Sequence, residues 1–151
     1  MLDSLISNSP DETFEFGERL GAELRGGDVV LLTGGLGAGK TLLTKGVMSA
    51  LGYDVDEVTS PSFTLVNLYK TELFNVYHID LWRSEGGDAA FSVGLDEIVE
   101  DERAIVIIEW AERLGNFLFD SPVYRIEVTG DGEDPRQITL IRPEHIPAAS
   151  V

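Results

Sequence analysis

Hydrophobic positions along the chain switch between helical and strand spacing, and each change of period marks an element. Across residues 9–27, Phe16, Leu20 and Leu24, with Phe14 and Ala22 nearby, line one face of a helix. Ser9 supplies the cap and Pro10 the first helical position. Asp11 and Glu12 sit beside the positive dipole end, and Gly26-Gly27 provides the stop. Residues 29–33 read as a short buried strand, and residues 42–51 as a second helix ended by Gly52. Two β-rich runs, 63–69 and 74–79, lie close enough to pair as an antiparallel hairpin, with Asp80 just past the second arm.

Residues 94–101 predict a short acidic helix that turns Leu95, Ile98 and Val99 toward the core. Residues 104–108 are continuously apolar and β-branched, as in a central strand covered on both faces, and the run closes on Glu109. One helical turn at 111–114 ends at Gly115. Residues 123–129 and 136–142 then alternate about a turn at 130–135, which predicts a terminal hairpin. Residues 1–8 and 143–151 read as loose termini. The pattern predicts one domain over residues 1–151, with no internal repeat or low-complexity linker.

The strongest chemical signal is residues 34–41, Gly-Gly-Leu-Gly-Ala-Gly-Lys-Thr, which fits G-x-x-x-x-G-K-[ST] between a predicted strand and a predicted helix. Glycines let backbone N–H groups turn toward phosphate oxygens, and the new helix aims its positive end at the same anion. In this phosphate-binding loop Gly35, Leu36, Gly37, Ala38 and Gly39 supply the cradle. Lys40 supplies a point charge to the terminal phosphates, and Thr41 a hydroxyl for magnesium. The element order then predicts an α/β fold, a P-loop NTPase three-layer sandwich. Its central sheet is expected to be mixed, a parallel core with antiparallel hairpins.

Composition narrows the function. The 151 residues hold 11 basic and 27 acidic side chains, a formal charge of −16, which repels nucleic acid and leaves no basic stripe for direct DNA or RNA binding. Such a surface also fits adaptation to salt. The chain has no cysteine, so disulfides, thiolate metal sites and cysteine nucleophiles are excluded. With no signal-peptide pattern and no apolar run near the roughly 18 residues of a membrane span, a soluble cytoplasmic protein is expected.

Other candidate residues admit two readings each. Glu109, closing an aliphatic strand in a chain with this loop, has the form of a Walker B carboxylate that holds magnesium or orients water; alternatively it caps a strand. Asp80 lies where carboxyl ends of strands line nucleotide sites, yet an Asp after a strand is also a common turn residue. The stretch Thr59-Ser60-Pro61-Ser62-Phe63-Thr64 suits either a loop that closes over a phosphate or a plain connection. Trp110 is core packing or a flat wall near the nucleotide. Thr13, early in the first helix, reads from pattern alone as a solvated hydroxyl. His78 reads as a packing or surface histidine, since the other histidine, His145, is distant in sequence. No Asp is followed three residues later by Gly, and none of Lys40, Lys45 and Lys70 lies in N/T-K-x-D, so GTP specificity is disfavoured. An L-S-G-G-Q-like transporter signature is absent.

Over residues 13–114 the ordered motifs resemble the bacterial TsaE (YjeE) ATPases of tRNA threonylcarbamoyladenosine biosynthesis. They are Thr13 with Phe16-Gly17-Glu18-Arg19-Leu20, the P-loop Leu36-Gly37-Ala38-Gly39-Lys40-Thr41, Ser60-Pro61-Ser62-Phe63-Thr64, Tyr77-His78-Ile79-Asp80-Leu81-Trp82-Arg83, Gly94-Leu95-Asp96-Glu97 and Glu109-Trp110. The resemblance implies an ATP-binding, magnesium-dependent ATPase subunit, weak alone, that works with the partners TsaD and TsaB. Those partners modify adenosine 37 of tRNA, so tRNA is met only indirectly. It also implies roles: Thr13 as a nucleotide contact near the adenine, Ser60 to Thr64 as a switch-like loop, Asp80 as an essential carboxylate and Glu109 as a magnesium-site residue. One departure is Gly35, where the family usually has Asp or Glu. The expected chemistry is transfer of the γ-phosphoryl group to water, with Lys40, Asp80 and Glu109 as the catalytic set and Trp110 beside the nucleotide. Asp80 and Glu109 are interchangeable at this level. A free-standing small kinase and a non-hydrolysing nucleotide-sensing module are the rival readings.

Overall fold

Residues 2–35, 39–61, 65–82, 94–115, 117–130 and 132–143 are described by a computed structural model. In chain order the elements are β1 (Leu2–Ser7), α1 (Pro10–Glu23), β2 (Val29–Gly34), α2 (Lys40–Ala50), a 3₁₀ turn (Val55–Glu57), β3 (Val66–Lys70) and β4 (Asn75–Asp80). There follow α3 (Leu95–Ile98), β5 (Ala104–Glu109), a second 3₁₀ turn (Ala111–Arg113), β6 (Val123–Thr129) and β7 (Arg136–Ile141). The strands form one seven-stranded sheet ordered β1-β7-β6-β2-β5-β4-β3. Neighbours among β6, β2, β5 and β4 are parallel, while β7 and β3 pair antiparallel with their hairpin partners. The expected mixed sheet, parallel at its centre, is therefore present.

Helices α1 and α2 cover one face of the sheet. Phe16 and Leu20 of α1 and Leu43, Val47 and Met48 of α2 pack on Val30, Leu32, Ile105, Ile107 and Ile126. On the other face, Leu95 of α3, Ala111 and Leu114 cover Val29, Leu31, Val106 and Ile108. Being covered on both sides, β5 is buried at every residue, as its unbroken apolar run predicts. In β6 burial alternates instead, with Tyr124, Ile126 and Val128 buried and Arg125 and Glu127 exposed. The start signals of the first helix also hold: α1 begins at Pro10, with the Glu12 N–H donating to the Ser9 hydroxyl at 3.2 Å, while it ends at Glu23, ahead of Gly26-Gly27. Among the described residues no helix is long and apolar enough to cross a membrane.

Three expectations about boundaries are corrected. The loose lead-in at 1–8 contains β1, paired along its length with β7 from Leu2↔Ile141 to Ser7↔Arg136. Its partner is more than a hundred residues away, so no local signal announces it. Arg142 reinforces the edge by pairing with Asp3 of β1 and, at 2.9 Å, with Glu23 of α1. The first arm of the β3–β4 hairpin starts at Val66, because Leu65 is left-handed (φ 69°) and donates its N–H to the Pro61 carbonyl. Asp80 is the last residue of β4 and not a residue beyond it: its N–H donates to Leu65 O, and it lies opposite Glu109 in the parallel pairing. Of the expected loose end at 143–151, residues 144–151 lie outside the described residues.

Backbone meets backbone where α1 crosses α2. A Cβ on Gly17 would lie 2.2 Å from the Leu43 carbonyl oxygen, and one on Gly46 would lie 2.1 Å from that of Phe14. No real Cβ tolerates such distances, so the crossing depends on glycine. An alanine at position 46 gains about 1 kcal/mol of helix propensity, but the overpacking outweighs it. Gly46→Ala should lose about 1–3 kcal/mol of stability in urea unfolding. Gly35, whose Cβ would meet none of the described residues within 4 Å, provides the control: Gly35→Ala should stay within about 0.5 kcal/mol of the parent.

Candidate functional site

Side chains alternate along each strand, so Leu32 of β2, Val76, His78 and Asp80 of β4 and Ile107 and Glu109 of β5 share the face that α1 and α2 cover. Parallel register then sets three chain positions at one level: Glu109 lies opposite Leu32 on one side and Asp80 on the other. Two residues beyond Leu32, Gly34 begins the loop. It has φ 137°, and a Cβ there would lie 2.1 Å from the Val128 carbonyl oxygen, so any larger residue would push the loop off β6. Both carboxylates therefore end their strands beside the loop, at the carboxyl edge where α/β sheets bind ligands.

Helix α2 opens at Lys40 with left-handed Gly39 (φ 105°) as its cap. There is no side-chain cap and no acid in the first turn, in contrast to α1 with Ser9, Asp11 and Glu12. The N–H groups at the start of α2 are thus left for an anion, and the helix dipole favours one. Lys40 is buried, and its ammonium donates to Gly34 O at 2.6 Å and Gly35 O at 3.2 Å while lying 4.0 Å over the Trp110 ring. Burial pushes the Lys40 pKa below its usual value, opposed by the charges of Glu109, Glu112 and Asp80. Thr41 follows in the first turn, half-buried. Leu36, Gly37 and Ala38, expected in the cradle, lie outside the described residues, as do Thr64 and Arg83.

The carboxylates are held differently. Asp80 accepts the Trp82 N–H at 2.7 Å and, at 3.4 Å, the Ser60 hydroxyl, so Ser60 of the expected switch-like loop does meet the site. Glu109 Oε2 lies 2.5 Å from His78 Nε2. A carboxylate oxygen accepts, so the imidazole donates from Nε2 in this pair. His78 is fully buried, and the expectation of a packing or surface histidine missed its contact with Glu109. Trp110 adopts a left-handed backbone (φ 58°), which is rare outside glycine, and packs against Trp82 with ring centroids 4.6 Å apart and the rings tilted by 46°. Arg113 lies 5.4 Å from the Trp110 ring centroid and 5.5 Å from that of Trp82.

Thr13 is buried rather than solvated. Its hydroxyl is 2.7 Å from that of Ser7, and its methyl lies 3.7 Å from where a Gly39 Cβ would be. The α1–α2 crossing brings it to the loop, a relation that helical periodicity does not encode. Beside it opens a cavity of about 440 Å³, lined among others by Ser9, Pro10, Thr13, Gly39, Leu42 and Arg136. That volume suits a small organic ligand. Pro10, Leu42 and Arg136 were not identifiable from sequence as lining residues, because they meet only through the packing of α1, α2 and β7.

As a magnesium site the donor set fits: a hydroxyl in the first turn of α2 and two carboxylates at adjacent strand ends. Magnesium keeps much of its water and takes one or two carboxylates with substrate phosphates, so a larger protein cage is not needed. Among the described residues no group of three or more His, Asp or Glu could form such a cage.

Comparison with known proteins gives a consistent result. Residues 7–138 match the family model for TsaE, threonylcarbamoyl adenosine biosynthesis protein TsaE. The chain is 37% identical over 136 residues to the tRNA threonylcarbamoyladenosine biosynthesis protein TsaE of Treponema pallidum, covering 89% of this chain and 97% of that one. It is 36% identical over 146 residues to the TsaE of Aquifex aeolicus, covering 94% and 98%. The crystal structure of YdiB from Bacillus subtilis superposes with a TM-score of 0.71 at 29% identity, covering 95% of this chain and 86% of that one.

The Lys40 to Trp110 contact yields an optical test. A phosphate that draws the ammonium off the ring should change indole emission. Titration with ADP should therefore shift tryptophan fluorescence, and Trp110→Phe should remove most of the response while Trp82→Phe retains a clear part of it. An ADP response unaffected by Trp110→Phe would show that this contact does not report on the loop.

Proposed function

Because the chain belongs to the TsaE family of threonylcarbamoyl adenosine biosynthesis proteins, we propose that it is the ATP-binding and ATP-hydrolysing subunit of the cytoplasmic machinery that makes tRNA threonylcarbamoyladenosine. In this reading it supports turnover by the TsaD and TsaB partners. The observation that supports hydrolysis most directly is the convergence of Lys40, Asp80 and Glu109 on one edge of the parallel strands.

The phosphates would lie across the start of α2, held by its N–H groups and by Lys40 released from the Gly34 and Gly35 carbonyls. The cavity beside Thr13 would take the nucleoside. Thr41 and Glu109 would hold magnesium, which when bound neutralises charge on the phosphate oxygens. Asp80 would orient the attacking water: a bond forms between the water oxygen and the γ-phosphorus, the bond to the bridging oxygen breaks, and ADP leaves together with phosphate that carries the two water protons. Lys40 would offset the charge that develops. A chain of formal charge −16 has no need to grip tRNA itself and can dock on subunits that do.

Lys40→Ala and Glu109→Ala should each lower the ATPase rate, measured with and without TsaD, TsaB and tRNA, by on the order of 10²–10³-fold, with circular dichroism unchanged. Near-normal turnover in either variant would sink the hydrolytic reading. The isolated protein should bind tRNA poorly at physiological salt in a filter or mobility assay; tight binding would contradict an indirect role for tRNA.

A further inference from the structure

Behind Glu109 a line of buried polar side chains crosses three strands. Tyr69 of β3, His78 of β4 and Glu109 of β5 are respectively 4%, 0% and 3% exposed, on the face where their neighbours are Val76, Ile105 and Ile107. Aliphatic residues would fill these positions without the desolvation that polar groups incur. Each polar group instead meets the next: Glu109 Oε2 is 2.5 Å from His78 Nε2, and His78 Nδ1 is 3.1 Å from the Tyr69 hydroxyl. That hydroxyl, which has one proton to share between His78 Nδ1 and Thr59 O, lies 3.1 Å from the latter and accepts from Asn67 Nδ2 at 3.3 Å, while Asn67 Nδ2 donates to Thr59 O at 3.3 Å. The next residue, Ser60, bonds Asp80. The loop at Thr59-Ser60 is thus tied to Asp80 directly and to Glu109 through two side chains.

We propose that His78, braced by Tyr69, is a positioning residue that fixes the Glu109 carboxylate and couples it to the loop at Thr59-Ser60, so that whatever engages this loop sets the aim of Glu109. The inference rests on the reading of Glu109 as a magnesium-site residue of an ATPase. The bond to Oε2 fixes the rotation of the carboxylate about its own axis while leaving its second oxygen to the site. A displacement of about 1 Å in a reacting constellation costs on the order of 10²-fold, so a rigid brace matters for rate. Tyr69 and Asn67 belong to β3, the edge strand next to the loop, so a shift of Thr59 reaches Glu109 without rearranging the parallel core.

The test uses the full chain with purified TsaD, TsaB and tRNA and compares His78→Leu, His78→Gln, which restores an N–H donor, and Tyr69→Phe, which cuts the tie to the loop. His78→Leu should lower kcat about 10–100-fold with little change in KM, and His78→Gln should recover part of that loss. Tyr69→Phe should lower the partner-stimulated rate more than the unstimulated one. Independently of turnover, the tightening of ADP binding by magnesium, measured by calorimetry, should shrink in His78→Leu and be largely restored in His78→Gln. Wild-type kcat and magnesium response in the His78 variants, or losses in kcat that merely track losses in melting temperature and ADP affinity, would overturn the proposal. If His78→Leu fails to fold, the His78→Gln and Tyr69→Phe comparisons decide alone. Absence of ATP turnover in the wild-type complex would overturn the hydrolytic reading, whereas the magnesium response of ADP binding would still report on the brace.

Discussion

Burial of charged and polar groups at the strand ends is the constraint on which the site depends. Lys40, His78, Asp80 and Glu109 are all at most 5% exposed, and groups so placed are stable only with partners in reach. Each has them: loop carbonyls and an indole face for Lys40, a backbone N–H and a hydroxyl for Asp80, an imidazole for Glu109. The partners in turn restrict where each group points. Lys40 lies within the fields of Glu109, Glu112 and Asp80, a local excess of negative charge to which a polyphosphate would add. A divalent cation would offset it, so the charge balance of the site itself favours the proposed magnesium.

The scaffold meets this constraint with two devices. One is parallel register, which ends β4 and β5 on Asp80 and Glu109 opposite one another and starts the loop two residues after Leu32. The other is the backbone contact of α1 with α2 at Gly17 and Gly46, which is closer than any side chain would allow. It draws Thr13 against Gly39 and forms one wall of the cavity beside the loop. The edge strand β1, clamped through Arg142, closes the same side by placing the Ser7 hydroxyl against that of Thr13. Thus the first residues of the chain contribute to the cavity beside the loop, although they are remote in sequence from it.

Much of this arrangement is legible in the sequence because local chemistry dictates it. The Ser9-Pro10 helix start, the buried run of β5 and the turn between β6 and β7 each follow from capping, desolvation or turn residues within a few positions. So does the reading of Gly34 to Thr41 as a phosphate-binding loop, which rests on glycines, Lys40 and Thr41 between a strand and a helix. Asp80 and Glu109 were identifiable as carboxylates at strand ends, with the choice between functional and turn roles left open.

What the sequence by itself determined, then, is most of the elements, their order, and the candidate loop and carboxylates, since short-range geometry and residue chemistry suffice for these. Only the tertiary structure decided that residues 2–7 are an edge strand, that Thr13 is buried against Gly39, and that His78 joins Tyr69 to Glu109. Those relations arise from pairing and packing between segments nine to more than a hundred residues apart. A histidine with its nearest sequence neighbours gives no sign of a carboxylate on the adjacent strand; sheet register brings the two side chains to 2.5 Å and turns a buried polar residue into a support for the site.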